Sequence, residues 1–218
     1  MKICVIILND GRNDYLEQTL KSLVKNVVFP FEAELYKILY DDMPDGRDEE
    51  LLSRIALEYK IDRVILSDKN NGIDQAVQNV WKEVPECAYI WHQENDFTYN
   101  EQIAVEEMIR PLEMNRMIGQ VALQRQAWYD DEIEAGGMYK VPYRTYRQGN
   151  IAGTNLVFQD KFFTHNPCVY RYSSIAQVSP YNELAFAEHL KKTGVKTFAY
   201  LGKLTDAPKV HHIGVIKK

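Results

Sequence analysis

The first hundred residues alternate short apolar runs with segments of helical period, and this alternation restricts the fold more than any other feature of the chain. Residues 3–8 are apolar without a break, as expected of a strand buried on both faces of a parallel sheet. Residues 35–40, 64–66 and 88–91 read as further strands. Between them the spacing predicts helices. Asp14-Tyr15-Leu16-Glu17 reads as a capping box, after which Leu16, Leu20, Leu23, Val24 and Val27 share one face. Residues 51–59 and 73–84 form two more, the second with Ala76, Val77, Val80 and Trp81 inward. Parallel strands need crossover connections, so this order predicts an α/β fold with a mainly parallel, Rossmann-like sheet flanked by helices.

The second half changes character. Residues 101–114 read as a helix that Pro111 should kink or end, followed by a strand over 118–123. Residues 124–150 show no period and hold Trp128, Tyr129, Tyr139, Tyr143 and Tyr146. A long aperiodic segment inside a compact domain reads as a functional lid. Strands follow at 155–158 and 196–200, with a helix over 183–193 that Gly194 closes. No repeat or linker interrupts the chain. Its 218 residues suit one domain, with residues 1–99 as one half and 100–218 as the other.

Composition removes several function classes. The formal charge is −5, and the densest basic runs are Lys191-Lys192 and Lys217-Lys218, so unspecific nucleic-acid binding has no electrostatic support. Cys4, Cys87 and Cys168 are odd in number and widely spaced, which fits neither a zinc site nor a disulfide framework. The apolar stretch before Asn9 is too short for a signal peptide or a membrane span. A cytoplasmic, soluble protein is expected.

Acidic groups gather where strands or loops end: Asp41-Asp42, Glu94-Asn95-Asp96 and Asn182-Glu183. In α/β folds such positions build the ligand site. Clustered carboxylates repel, so the expected partners are a divalent cation and a phosphorylated ligand. In an extended segment Glu94 and Asp96 face the same side. Blander readings stand beside these. Asp42-Met43-Pro44-Asp45-Gly46 is also a turn signal, and Glu183 in a first helical turn also complements the macrodipole. His92, next to Trp91, reads as packed.

Tyr15-Leu16-Glu17-Gln18-Thr19-Leu20-Lys21-Ser22-Leu23 is similar to the x-Leu-Glu-x-Thr-Leu-x-Ser-Leu helix that opens the family 2 glycosyltransferases, inverting GT-A-fold enzymes that use nucleotide-activated sugars. Tyr40-Asp41-Asp42-Met43-Pro44-Asp45-Gly46 resembles the family's Val-Asp-Asp-Gly-Ser-x-Asp-Gly, and Asn70-Asn71-Gly72 with Ala76 resembles its Asn-x-Gly segment. Glu94-Asn95-Asp96 stands where the family has its Asp-x-Asp metal motif, and Asn182-Glu183 where it has Glu-Asp or Asp-Asp. His211 or His212 stands where many members place a metal-binding His. The likeness covers nearly the whole chain and is weakest over residues 124–150. Glu94 and Glu183 replace Asp, and His189 replaces an Arg of the last helix.

The resemblance implies a GT-A-type fold with an acceptor-side C-terminal half. It implies that Asn9, Asp10, Asp41, Asp42, Asn70 and Glu94 hold the nucleotide, with Asp41 on the base and Asp42 on the ribose. Asp96 with His211 or His212 would bind Mn²⁺ or Mg²⁺. Glu183 would be the general base, and Trp128 and Tyr129 would stack on the acceptor. The donor would be a nucleotide sugar, with a UDP-sugar expected, and the acceptor a hydroxyl of a glycan, a protein, a lipid-linked intermediate or a nucleobase. Two alternatives remain. A sugar-phosphate nucleotidyltransferase usually carries a Gly-rich loop with Arg and Lys after the first strand, and Asn9-Asp10-Gly11-Arg12-Asn13 has one Gly. A non-catalytic binding module would not need acids at all three positions.

Overall fold

The computed structural model describes residues 1–175, 178 and 181–214, and the Lys217-Lys218 pair lies outside the described residues. Strand β1 (Lys2–Asn9) is buried at every position after the first. Its alternation divides it between two cores. Ile3, Val5 and Ile7 face one cluster, and Cys4, Ile6 and Leu8 face the other. Helix α1 (Asn13–Asn26) covers the first side with Leu16, Leu20 and Leu23. It starts one residue before the expected capping box. Arg12 takes the N-cap without a side-chain bond, and Asp14 lies within the first turn. Val24, expected on the inner face, is exposed.

Strand β2 (Val27–Val28), strand β3 (Glu34–Asp41), helix α2 (Glu49–Glu58), strand β4 (Arg63–Leu66), helix α3 (Ile73–Trp81) and strand β5 (Tyr89–Glu94) follow. Helix α2 packs Leu52 and Ile55 on the same side as α1. Helix α3 packs Ala76, Val77, Val80 and Trp81 on the opposite side, as its spacing predicted. Strands β6 (Phe97–Tyr99) and β7 (Ile103–Ala104) precede helix α4 (Val105–Met114). The helix starts later than expected because residues 103–104 pair with β2. Pro111 sits inside α4, which runs on to Met114; the ring removes one donor without stopping the last turn.

Strand β8 (Ile118–Ala122), helix α5 (Asp130–Glu134), strand β9 (Arg147–Ile151), strand β10 (Thr154–Gln159), strand β11 (Cys168–Arg171), helix α6 (Glu183–Lys192), strand β12 (Thr197–Leu201) and strand β13 (Val210–His212) complete the described chain. The nine-stranded sheet has the order β4-β3-β1-β5-β11-β8-β12-β10-β9. Strands β11 and β10 run antiparallel to both their neighbours, against the direction of the other strands. The sheet is therefore mostly parallel. Residues 124–150, expected to lack regular structure, hold α5, a 3-10 turn at Met138–Lys140 and most of β9. No described helix is long and apolar enough to cross a membrane.

The chain moves outward from β1 through β3 to β4, then returns to place β5 on the other side of β1. This reversal opens a crevice beyond the carboxyl ends of β1 and β5. The register puts Asn9 beside Asp41 and Leu8 beside Glu94, so three of the expected site residues arrive at one sheet edge.

Candidate active site

A cleft of about 810 Å³ opens at that edge. Asn9, Asp10, Asp42, Asn70, Glu94, Trp128, Tyr129, Glu183 and His212 all line it. Asp41, Asp96 and His211 do not.

Asp41 is 1% exposed. Its Oδ1 accepts from Asn9 Nδ2 at 2.6 Å and its Oδ2 from Arg47 Nε at 2.7 Å. Both oxygens are engaged beneath the cleft, and Asp41 is not among the residues that line it. Asp42, the next residue in an extended segment, turns the other way. It accepts from the Asn71 backbone at 2.8 Å and from Asn71 Nδ2 at 2.7 Å. Asn70 caps the following turn, its Oδ1 accepting from the Gly72 N–H at 3.0 Å. Asn9 lines the cleft and is also a hub, since its Oδ1 accepts from Asn95 Nδ2 at 2.7 Å.

Strand β5 ends at Glu94, and Asn95 and Asp96 form a turn into β6. Each of Glu94, Asp96 and His212 offers one ligand atom, and these atoms lie within 4.8 Å of one another. Strand β13 pairs with β6, setting His212 opposite Phe97 and His211 opposite Thr98. Alternation then turns His212 inward and leaves His211 exposed. The structure thereby separates two histidines that the sequence could not. His212 is held between Phe97 and Trp128, with ring centroids 4.7 and 3.8 Å away. Its Nε2 lies 3.3 Å from Asp96 Oδ2.

The donor set fits a hard divalent cation: two carboxylates and one imidazole. Asp96 Oδ1 and His212 Nδ1 are buried without a hydrogen-bond partner among the described residues. The backbone of Gly214 closes over the group, for a Cβ there would lie 2.5 Å from Asp96 Oδ2. Burial, then the charges of Asp96, Glu183 and Asp10, push the Glu94 carboxyl well above the usual range against the pull of Arg12. Burial lowers the proton affinity of His212, opposed by Asp96.

Arg12 is a cleft residue that sequence reading did not select. Its Nη2 donates to Asp96 Oδ2 at 2.7 Å, and its Nε donates to Asp10 at 2.8 Å. Burial would raise the Asp10 carboxyl, but the bonds from Arg12 and Asn95 outweigh it and hold it low.

Glu183 is the first residue of α6, after Asn182, whose Oδ1 caps the helix through the Ala185 N–H at 2.8 Å. Glu183 Oε1 accepts from the His165 N–H at 2.5 Å. The His165 ring stands between the acids, its Nδ1 3.8 Å from Glu94 Oε1 and 3.9 Å from Glu183 Oε1. Its Nε2 shares a hydrogen bond with the Tyr181 hydroxyl at 2.9 Å. Below it, His92 stacks at 5.1 Å with neither ring nitrogen hydrogen-bonded among the described residues, a packed residue as expected. His165 escaped the sequence reading because residues 160–167 carry no period; the Asn166-Pro167 turn is their only local signal.

The aromatic segment is built around Glu132, which is fully buried. Arg125 Nη1 donates to it at 2.6 Å and Arg144 Nη1 at 2.5 Å. Trp128 is half-buried, lines the cleft and meets the His212 ring edge-on. Tyr129 is 55% exposed and lies over the Arg125 guanidinium.

No protein-family model matches this sequence, and no curated protein matches it. Solved structures do. GalNAc-T7 with UDP, GalNAc and Mn²⁺ matches 100% of this chain and 44% of its own, with a TM-score of 0.69 and 12% identity. S. aureus TarS 1-349 in complex with UDP-GlcNAc matches 100% of this chain and 60% of its own, at 0.57 and 14%. The mannosyltransferase PcManGT from Pyrobaculum calidifontis, in complex with GDP-Man and Mn²⁺, matches 99% of this chain and 57% of its own, at 0.59 and 9%. The chain spans about half the length of these structures. At such identities the likeness is one of fold, and the fold is the GT-A-type arrangement of a mostly parallel sheet flanked by helices.

Proposed function

We propose that this chain is a metal-dependent, inverting glycosyltransferase of the family 2 type, moving a sugar from a UDP-linked donor to an acceptor hydroxyl. The carrying observation is that Glu94, next to Asp96 and His212, and Glu183 lie within 4 Å of one His165 nitrogen in a single cleft. The residues proposed for the leaving-group site and the base thus flank one imidazole.

In this reading Asp42 and Asn70 hold the nucleoside end of the donor. Glu94, Asp96 and His212 hold Mn²⁺ or Mg²⁺, which when bound offsets the charge of the departing diphosphate. Glu183 takes the acceptor proton as the acceptor oxygen attacks the anomeric carbon. The bond from that carbon to the phosphate oxygen breaks, and the diphosphate leaves with the electron pair. One displacement inverts the anomeric centre. Residues 1–99 supply the donor side and residues 100–218 the acceptor side, where Tyr129 offers an open ring to a sugar.

The neighbours were crystallised with UDP, UDP-GlcNAc and GDP-Man, which names the donors to assay. Purified protein with UDP-GlcNAc, UDP-galactose or GDP-mannose and Mn²⁺ should release nucleoside diphosphate. EDTA or Asp96→Ala should stop the release. Absence of release from every donor, or pyrophosphate release from UTP with a sugar phosphate, would overturn the reading.

A further inference from the structure

Arg12 already places a fixed positive charge where a cation is expected. Its guanidinium spans Asp10 and Asp96, with Nη2 at 2.7 Å from Asp96 Oδ2 and 2.8 Å from Asp10 Oδ2. The Asp96 side chain is 5% exposed, so this partner is not replaced by water. The ring of Tyr15 lies 5.1 Å from the guanidinium carbon and supports it from one side. Arg12 also lines the cleft, which leaves it within reach of a ligand there. Nη1 makes no hydrogen bond among the described residues, while Nε and Nη2 make theirs to the two aspartates.

Two cations cannot share one buried carboxylate at full strength, because each was stabilised there by a charge now divided between them. A guanidinium is also a good phosphate ligand by its fork geometry. We propose that Arg12 is a coupling residue: it occupies Asp96 in the empty enzyme and yields that carboxylate to the metal ion when a diphosphate arrives to take the guanidinium. Ion and donor then bind together, and the ion alone binds weakly. This rests on the metal reading proposed above. It differs from that reading in assigning the empty state's cation and the order of events to one side chain of the loop after β1.

The test reads Mn²⁺ binding, by calorimetry and by the EPR signal of free Mn²⁺, with and without UDP. Arg12→Met should bind Mn²⁺ without UDP about tenfold tighter than the natural protein, and UDP should raise its Mn²⁺ affinity by about tenfold less. Arg12→Lys keeps the charge and should stay within about threefold of the natural protein without UDP. If Arg12→Met loses the native circular dichroism spectrum, Arg12→Gln removes the same charge and takes its place in the comparison. Equal Mn²⁺ affinities for the natural and neutral variants, with binding lost in Asp96→Asn, would overturn the coupling role and leave the metal site standing. No Mn²⁺ bound by any variant, with or without UDP, would overturn both.

Discussion

The Gln126 side chain pairs with the backbone of His212 in both directions, donating to its carbonyl at 2.9 Å and accepting from its N–H at 2.9 Å. The segment expected to serve as an acceptor lid is thereby stitched to the strand that carries a candidate metal ligand. Lys209 and Val210 add backbone bonds to Gln124, and Trp128 covers the His212 ring. The outer partners of a metal ligand set its orientation. Gln126→Ala should therefore weaken Mn²⁺ binding about 10- to 100-fold, measured by calorimetry, while thermal stability falls by only about 1–2 kcal/mol. Unchanged Mn²⁺ affinity would mean that His212 is held by its strand alone.

Glu132 makes the aromatic segment pH-sensitive. Burial raises its carboxyl, but the hydrogen bond and charge of Arg125, the Trp128 N–H and Arg144 outweigh it, so its folded pKa is lowered. The contribution is complete above the unfolded carboxyl range, about 4.3, and is lost as pH falls through the lower folded value. Urea melts should show the natural protein losing stability below pH of about 4 more steeply than Glu132→Gln. At pH 7 that variant leaves Arg125 and Arg144 without their shared charge, at a cost of about 3 kcal/mol. Parallel pH profiles for the two proteins would contradict the assignment.

Strand β1 was legible because it is an apolar run buried on both faces, and β3 and β5, which carry polar residues as well, were legible through the apolar part of each, residues 38–40 and 89–91. Strand β11 was not legible. Four residues of mixed polarity become a strand only because β5 and β8 offer two open edges. The same holds for β13, whose three residues gain their facing from β6. That pairing is nonlocal, so no reading of His211-His212 alone selects the inward ring. Acids at strand ends were visible as types but not as partners. Which carboxylate faces the ligand depends on Arg47 and Arg12, and their reach across loops has no periodic signature.

Glu183 has the position of a base but also that of an ordinary first-turn acid, and kinetics separate the two. The Gln side chain keeps the acceptor for the His165 N–H and removes the charge. Glu183→Gln should lower kcat about 10²- to 10⁴-fold while leaving UDP and Mn²⁺ affinities close to natural values. A helix-terminal role alone would cost about 0.3–1 kcal/mol of stability and no turnover. Retained kcat would remove Glu183 from the mechanism without touching the donor site.

The adjacent acids Asp41 and Asp42 should behave in opposite ways. Asp41 is paired with Arg47, both side chains nearly or fully buried at 2% and 11% exposure, and it does not line the cleft. Asp41→Asn should destabilise the fold by about 3 kcal/mol through the stranded guanidinium, with little change in the KM for donor among molecules that remain folded. Asp42 lines the cleft and braces the Asn71 turn. Asp42→Asn loses a charged acceptor there and should raise the KM for UDP-sugar about tenfold, the equivalent of about 1.4 kcal/mol. Denaturant melts and donor titrations on the two variants check both halves. If Asp41→Asn raised KM and spared stability, Arg47 would have to release Asp41 to the nucleotide when the donor binds, and the base contact would return to the first acid of the pair.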